Sequence, residues 1–243
     1  WSNVGSRYLD TFAEAKRLRL RNYVPEHRLE PLGHRQQPLP EIKLEHLRRM
    51  TDDTGMLQHA KHTVPDRAHG YCVDDNTRAL IVVVTLRDLQ PLDSPLSNLA
   101  AIYLSFLRYA FNAQTGRFRN FMSYDRRWLE ETGSEDSHGR AVWGLGVTVG
   151  LGRDAGEVVF AVDLFHRALD AVEHFTSPRA VAFTIIGIHA YLSRYSGDSH
   201  VRKMRKILSD RLMQQFRDFA TKNWPWCEDI VTYDNARLPQ ALL

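Results

Sequence analysis

The sequence predicts an all-α protein whose helical hairpins pack side by side as part of an α/α toroid. Two observations carry this. Apolar residues recur at helical spacing from residue 41 to the end of the sequence. A short polar motif ending in arginine also occurs four times, each time at the start of such a stretch.

The elements follow in order. Tyr8, Leu9, Phe12 and Ala15 mark one face of an amphipathic helix over residues 6–21. Pro25, Pro31, Pro38 and Pro40 then break the pattern, so residues 22–40 read as a linker and 41–243 as the main domain. Ile42, Leu44, Leu47 and Met50 start its first helix, and Arg78 to Arg87 continue a second. The run Ala79-Leu80-Ile81-Val82-Val83-Val84 also fits a buried strand, but its flanks are helical. Leu96 to Ala110, Ala141 to Val149, Val158 to Val172, Val181 to Leu192 and Val201 to Phe219 give five more helices, and a last one begins near Asn235.

The recurring motif appears as Asp75-Asn76-Thr77-Arg78, Ser137-His138-Gly139-Arg140, Thr176-Ser177-Pro178-Arg179 and Asp234-Asn235-Ala236-Arg237. Its arginines are separated by 62, 39 and 58 residues, room for two helices and their loops in each interval. The Asp, Ser or Thr three residues before each arginine is expected to cap its helix, and Pro178 suits a first helical turn. Every second helix then opens on the same motif, and such hairpins bury their faces by stacking on neighbours.

Composition narrows the function. The 243 residues carry a formal charge of +3, and the basic runs at 16–21 and 202–206 lie in helical patterns, so no nucleic-acid partner is implied. No apolar run approaches the ~20 residues that span a bilayer, so no membrane is implied either. Two cysteines, Cys72 and Cys227, make no disulfide framework and fit a reducing, cytoplasmic setting. The sequence opens at Trp1 without a signal pattern and stops inside a helical pattern, which reads as a piece of a longer polypeptide.

The polar segments that open the repeats converge on one mouth if the helices stack as expected. Doubled acids stand out there: Asp74-Asp75, Glu135-Asp136 and Glu228-Asp229 exceed what capping needs. Paired carboxylates are the chemistry of glycoside hydrolysis, one as acid and one as base or nucleophile. Asp75, Glu135 and Asp136 are the catalytic candidates. Carboxylates, amides and guanidiniums hydrogen-bond sugar hydroxyls, and aromatic faces stack on sugar rings. The candidate substrate-binding residues are accordingly Tyr71, Asp74, Asn76, Arg78, Asn120 and Tyr124, then Asp125, Arg126, Trp128, His138 and Arg140, and finally Arg179, Trp226, Glu228, Asp234 and Arg237. A scaffold reading competes, in which the acids cap helices and the arginines pair with them.

No cofactor and no metal is called for. His59, His62 and His69 with Asp66 match no strong zinc spacing and read as solvated or hydrogen-bonded histidines. Cys72 with His69 or His138 lacks a thiol-nucleophile signature. No phosphate-binding glycine loop is present.

Three segments together, His69 to Asn76, Asn120 to Trp128 and Gly133 to Arg140, resemble a helical domain found behind bacterial glycosyltransferases of the family-4, two-Rossmann-domain type. Trp1-Ser2-Asn3-Val4 with Tyr8, Leu9 and Phe12 resembles the closing helix of such a transferase. The resemblance implies that residues 1–21 end a glycosyltransferase-like domain and that 41–243 begin a helical one. That helical part is similar to the six-hairpin glycosidases, whose members fold as (α/α)6 toroids, of which this sequence supplies about four of six inner helices. It implies an oligo- or polysaccharide partner and a cytoplasmic location. Three functions remain open: a glycosidase-like enzyme, a glycan-binding module serving the transferase, and a structural helical array.

Overall fold

The structure, a computed structural model, describes residues 10–14, 16, 17, 41–89 and 94–243. Contacts divide the chain into two units, Trp1–Lys43 and Leu44–Leu243. In the first, residues 10–14, 16 and 17 are helical; the rest of the expected helix over 6–21 and all of the expected linker over 22–40 lie outside the described residues.

The second unit is mostly helical. Helix α1 (Glu45–Met50) leads into strands β1 (Leu57–Lys61) and β2 (Val64–Cys72). Helices α2 (Val73–Leu89) and α3 (Ser94–Ala110) follow, then three two-residue strands: β3 (Phe111–Asn112), β4 (Arg117–Phe118) and β5 (Phe121–Met122). Next come α4 (Glu135–Leu151), α5 (Ala155–Leu169), a 3-10 turn at Asp170–His174, α6 (Pro178–Arg194), α7 (Ser199–Phe219) and the short α8 (Arg237–Gln240).

Three antiparallel hairpins, α2 with α3, α4 with α5 and α6 with α7, pack side by side. Helices α2, α4 and α6 form the central row and touch one another directly. Helix α4 is apolar nearly all round and buried along its length, as a helix covered on both sides must be. Its approach to α6 is set by small residues. A Cβ on Gly139 would lie 2.6 Å from the Ala180 carbonyl oxygen, one on Gly146 2.1 Å from that of Gly187, and one on Gly150 2.4 Å from that of Ala190. These contacts advance together along both chains, so the two helices run parallel with their backbones nearly touching. Helix α2 meets α4 in the same direction, through Thr77 against Gly144 and Asp74 against Arg140. Parallel central helices put their N-termini at one end, which is where the polar motifs sit.

One expectation needs correction. The domain is not purely all-α. Strand β2 pairs antiparallel with β1, Lys61 opposite Val64, and with β5, Tyr71 opposite Met122. The turn holds His62 at φ 58°, and Gly70 adopts φ 65° where a Cβ would strike the Met122 carbonyl. No toroid is shown among the described hairpins. They form a row. The Val-rich run over 81–84 is helical, inside α2.

The caps also fall elsewhere than the motif predicts. Ser134, not Ser137, caps α4, accepting from the Ser137 N–H at 3.1 Å. Ser177, not Thr176, caps α6, with Pro178 in its first turn as expected. Asp75 lies inside the first turn of α2. Among the described residues no helix is long and apolar enough to cross a membrane.

Candidate functional site

The site is built at the N-terminal ends of the central helices, and each end is held by its neighbour. Strand β5 docks on β2 and brings Asn120 to the start of α2. There the Asn120 carbonyl accepts from the Val73 N–H at 2.9 Å, and its side-chain oxygen lies 3.4 Å from the Asp74 N–H. At the first residue of α4, Glu135 reaches across to α6 and accepts from the Thr176 and Ser177 N–H groups, both at 2.8 Å. Its carboxylate thus satisfies the free donors of a neighbouring helix. Asp136 beside it accepts from the Ser177 hydroxyl at 2.6 Å.

Two buried arginines fasten the segment before α8 over these ends. Arg140, its side chain only 7% exposed, donates through Nε to Asp74 at 2.8 Å and through Nη2 to Asp234. Arg179 forks onto both oxygens of Glu228 at 2.7 Å and bonds the Tyr233 carbonyl and Asn235 Oδ1. Asp234 holds φ 48°, a left-handed conformation that aspartate tolerates better than most residues. Arg78, four residues along α2, closes the network on Asp74.

Between these groups lies a cavity of about 460 Å³. Its walls carry three carboxylates (Asp74, Asp136, Asp234) and two guanidiniums (Arg78, Arg140). Asn120, Ser134, Ser137 and Tyr233 complete the lining. Six of the predicted site residues therefore meet in one pocket: Asp74, Arg78, Asn120, Asp136, Arg140 and Asp234. Glu135, Arg179 and Glu228 stand behind it as its frame.

The other candidates lie away from the lining. Asp75 accepts from the Cys72 thiol at 3.1 Å. Burial first, and then the Asp75 charge, push the Cys72 thiol up, so it remains a thiol. His69 contacts His59, with ring centroids 4.4 Å apart, and no histidine joins the Cys72–Asp75 pair among the described residues. Tyr71 is buried, donates to Asp52 at 2.6 Å and stacks on Tyr124 at 6.3 Å. Asn76 is fully buried and fastens the loop before β1 by accepting from the Met56 N–H at 2.8 Å. Arg126 pairs with Asp53 at 2.8 Å, and Asp125 with Arg127 at 2.9 Å. Trp128 packs between Phe106 and Tyr109. Trp226 packs against the core, and Arg237 lies 4.6 Å over the Trp143 ring.

His138 has a structural role. It is fully buried, its Nδ1 accepts from the Phe118 N–H at 3.3 Å, and Nε2 lies 2.9 Å from the Ala168 carbonyl. That arrangement assigns the proton to Nε2 and the neutral form. Burial holds its pKa down at about 3, well below the usual 6.5. The sign follows. The unfolded chain takes up a proton below about pH 6.5 and the folded chain does not, so stability contributed by neutral His138 falls as pH drops toward 3. The expected slope is about 1.4 kcal/mol per pH unit. Urea titrations at pH 7 and pH 5 should show this loss, and His138→Asn should flatten it; an unchanged slope would refute the assignment.

Ser134, Ser137 and Tyr233 line the pocket without being predicted as site residues. Tyr233 sits immediately before the motif aspartate Asp234, and that adjacency is the signal that was there to be read. Among the described residues no group of three metal-ligating side chains converges. Comparison with family models, with curated proteins and with solved structures finds no match to this chain.

Proposed function

We propose that the domain is carbohydrate-active and glycoside hydrolase-like, binding an oligo- or polysaccharide in the pocket over α2, α4 and α6. The observation that carries this is the unspent hydrogen-bonding capacity of the pocket. Asn120 is only 8% exposed and its side-chain N–H₂ has no protein partner among the described residues. A donor at the wall of a cavity is free to meet an acceptor from a ligand or solvent. Asp136 alone of the three lining carboxylates has no arginine partner among the described residues, and its second oxygen is unclaimed. Asp234 is held by Arg140 through one oxygen only, leaving the other free. Asp136 as acid or base and Asp234 as second carboxylate make the pair that glycoside cleavage requires.

On this reading further hairpins extend the row toward a closed α/α toroid, and the domain works in the cytoplasm beside a glycosyltransferase. A second reading, a non-catalytic glycan-binding module, draws support from Arg140, whose pairing with both Asp74 and Asp234 favours holding over reacting. One screen separates them. Titration with neutral and acidic oligosaccharides, followed by assay for new reducing ends, should show binding and release. Binding without release supports the module, and no binding to any of them refutes both.

A further inference from the structure

We infer that Tyr233 is the platform on which the sugar ring stacks, and that the site takes a neutral rather than an acidic pyranose. This rests on the saccharide reading of the pocket and extends it to a residue and a ligand class. Tyr233 is the one aromatic side chain lining the cavity among the described residues, and it is 49% exposed there with no aromatic partner. A half-exposed ring with no other aromatic ring on it presents apolar surface next to a wall of hydrogen-bonding groups. A pyranose has the matching shape, with C–H groups on a face and hydroxyls at the rim.

The ring is also fixed before any ligand arrives. Arg179 lies 4.9 Å from its centroid and grips the Tyr233 carbonyl, while Glu228 and Asn235 lock that guanidinium in place. Arg140 lies 6.0 Å from the same ring. A platform held by buried cations loses little freedom on binding, which favours affinity.

The ligand class follows from charge. Three carboxylates line the cavity against two guanidiniums, and both guanidiniums are already paired with Asp74 or Asp234. The helix ends that would attract an anion already face Asp74, Glu135 and Asp136. A uronate would bring a further negative charge to a site with no free cation among the described residues. A neutral ring meets donors and acceptors only.

The test is calorimetric titration of the wild type, Tyr233→Phe and Tyr233→Ala with neutral gluco-, manno- and chito-oligosaccharides and with oligogalacturonate. The wild type should bind a neutral ligand at least about tenfold more tightly than the uronate. Tyr233→Ala should weaken that binding about tenfold or more while melting as the wild type does, and Tyr233→Phe should keep it. Equal binding by Tyr233→Ala overturns the platform and leaves the saccharide reading standing. Tighter binding of oligogalacturonate overturns the neutral class. Wild type that binds none of these ligands removes the saccharide reading and this inference together.

Discussion

Gly146→Ala is expected to lower stability by about 3 kcal/mol, at the upper end of what overpacking a core costs. For a domain of this size that corresponds to a Tm about 6–12 °C lower. The added methyl would sit 2.1 Å from the Gly187 carbonyl oxygen and 2.6 Å from its carbonyl carbon. Neither neighbour is the end of a flexible side chain, so the methyl fits only if α4 and α6 separate. Separation strains the contacts of Gly139 with Ala180 and of Gly150 with Ala190 as well. Gly197→Ala is the control, because a Cβ there meets nothing within 4 Å. Thermal melts of the two variants decide the matter. Equal Tm values would mean that the helices do not approach as described.

Asp136→Asn is expected to cut glycan turnover by about 10²–10⁴-fold, the usual contribution of a positioned acid or base, while leaving ligand binding nearly intact. The amide keeps the shape and can still accept from Ser177, so the loss would be chemical. Glu135→Gln should do the reverse. Glu135 accepts from two backbone N–H groups at the start of α6, and neutralising it weakens two charge-assisted bonds. A stability loss of about 1–2 kcal/mol is expected, with turnover per folded molecule retained. Kinetics and melts on both variants separate the roles. Should Asp136→Asn cleave as fast as the wild type, the acid or base lies elsewhere.

The helices were legible because their apolar residues repeat at three and four, and because the arginine motif marks where each central helix begins. The pocket was partly legible for the same reason: parallel central helices bring Asp74, Asp136 and Arg140 to one end, where Arg140 holds Asp234. The β1–β2 hairpin was not. Its strands lack clean alternation and its turn is built on His62 at φ 58° instead of a glycine or asparagine, so nothing in Leu57 to Cys72 announced it. Caps were misplaced for a physical reason too. A serine three residues before an arginine looks like a cap, but Ser137 lies within the first turn of α4 and Ser134 takes that place. Glu135 and Asp136 read as one acidic pair. Only the fold separates them, since one faces backbone donors of α6 and the other faces the cavity.

Arg140 joins Asp74, in the first central helix, to Asp234, 94 residues beyond itself. The whole pocket is drawn from the stretch between Asp74 and Asp234. As the polypeptide leaves the ribosome, the first two hairpins can pack by local contacts, but the cavity has no far wall until Tyr233 and Asp234 emerge. Such distant closures come late in folding. Arg140, paired early with Asp74, therefore waits for its second carboxylate until last, and ligand binding becomes a report that synthesis has passed that point.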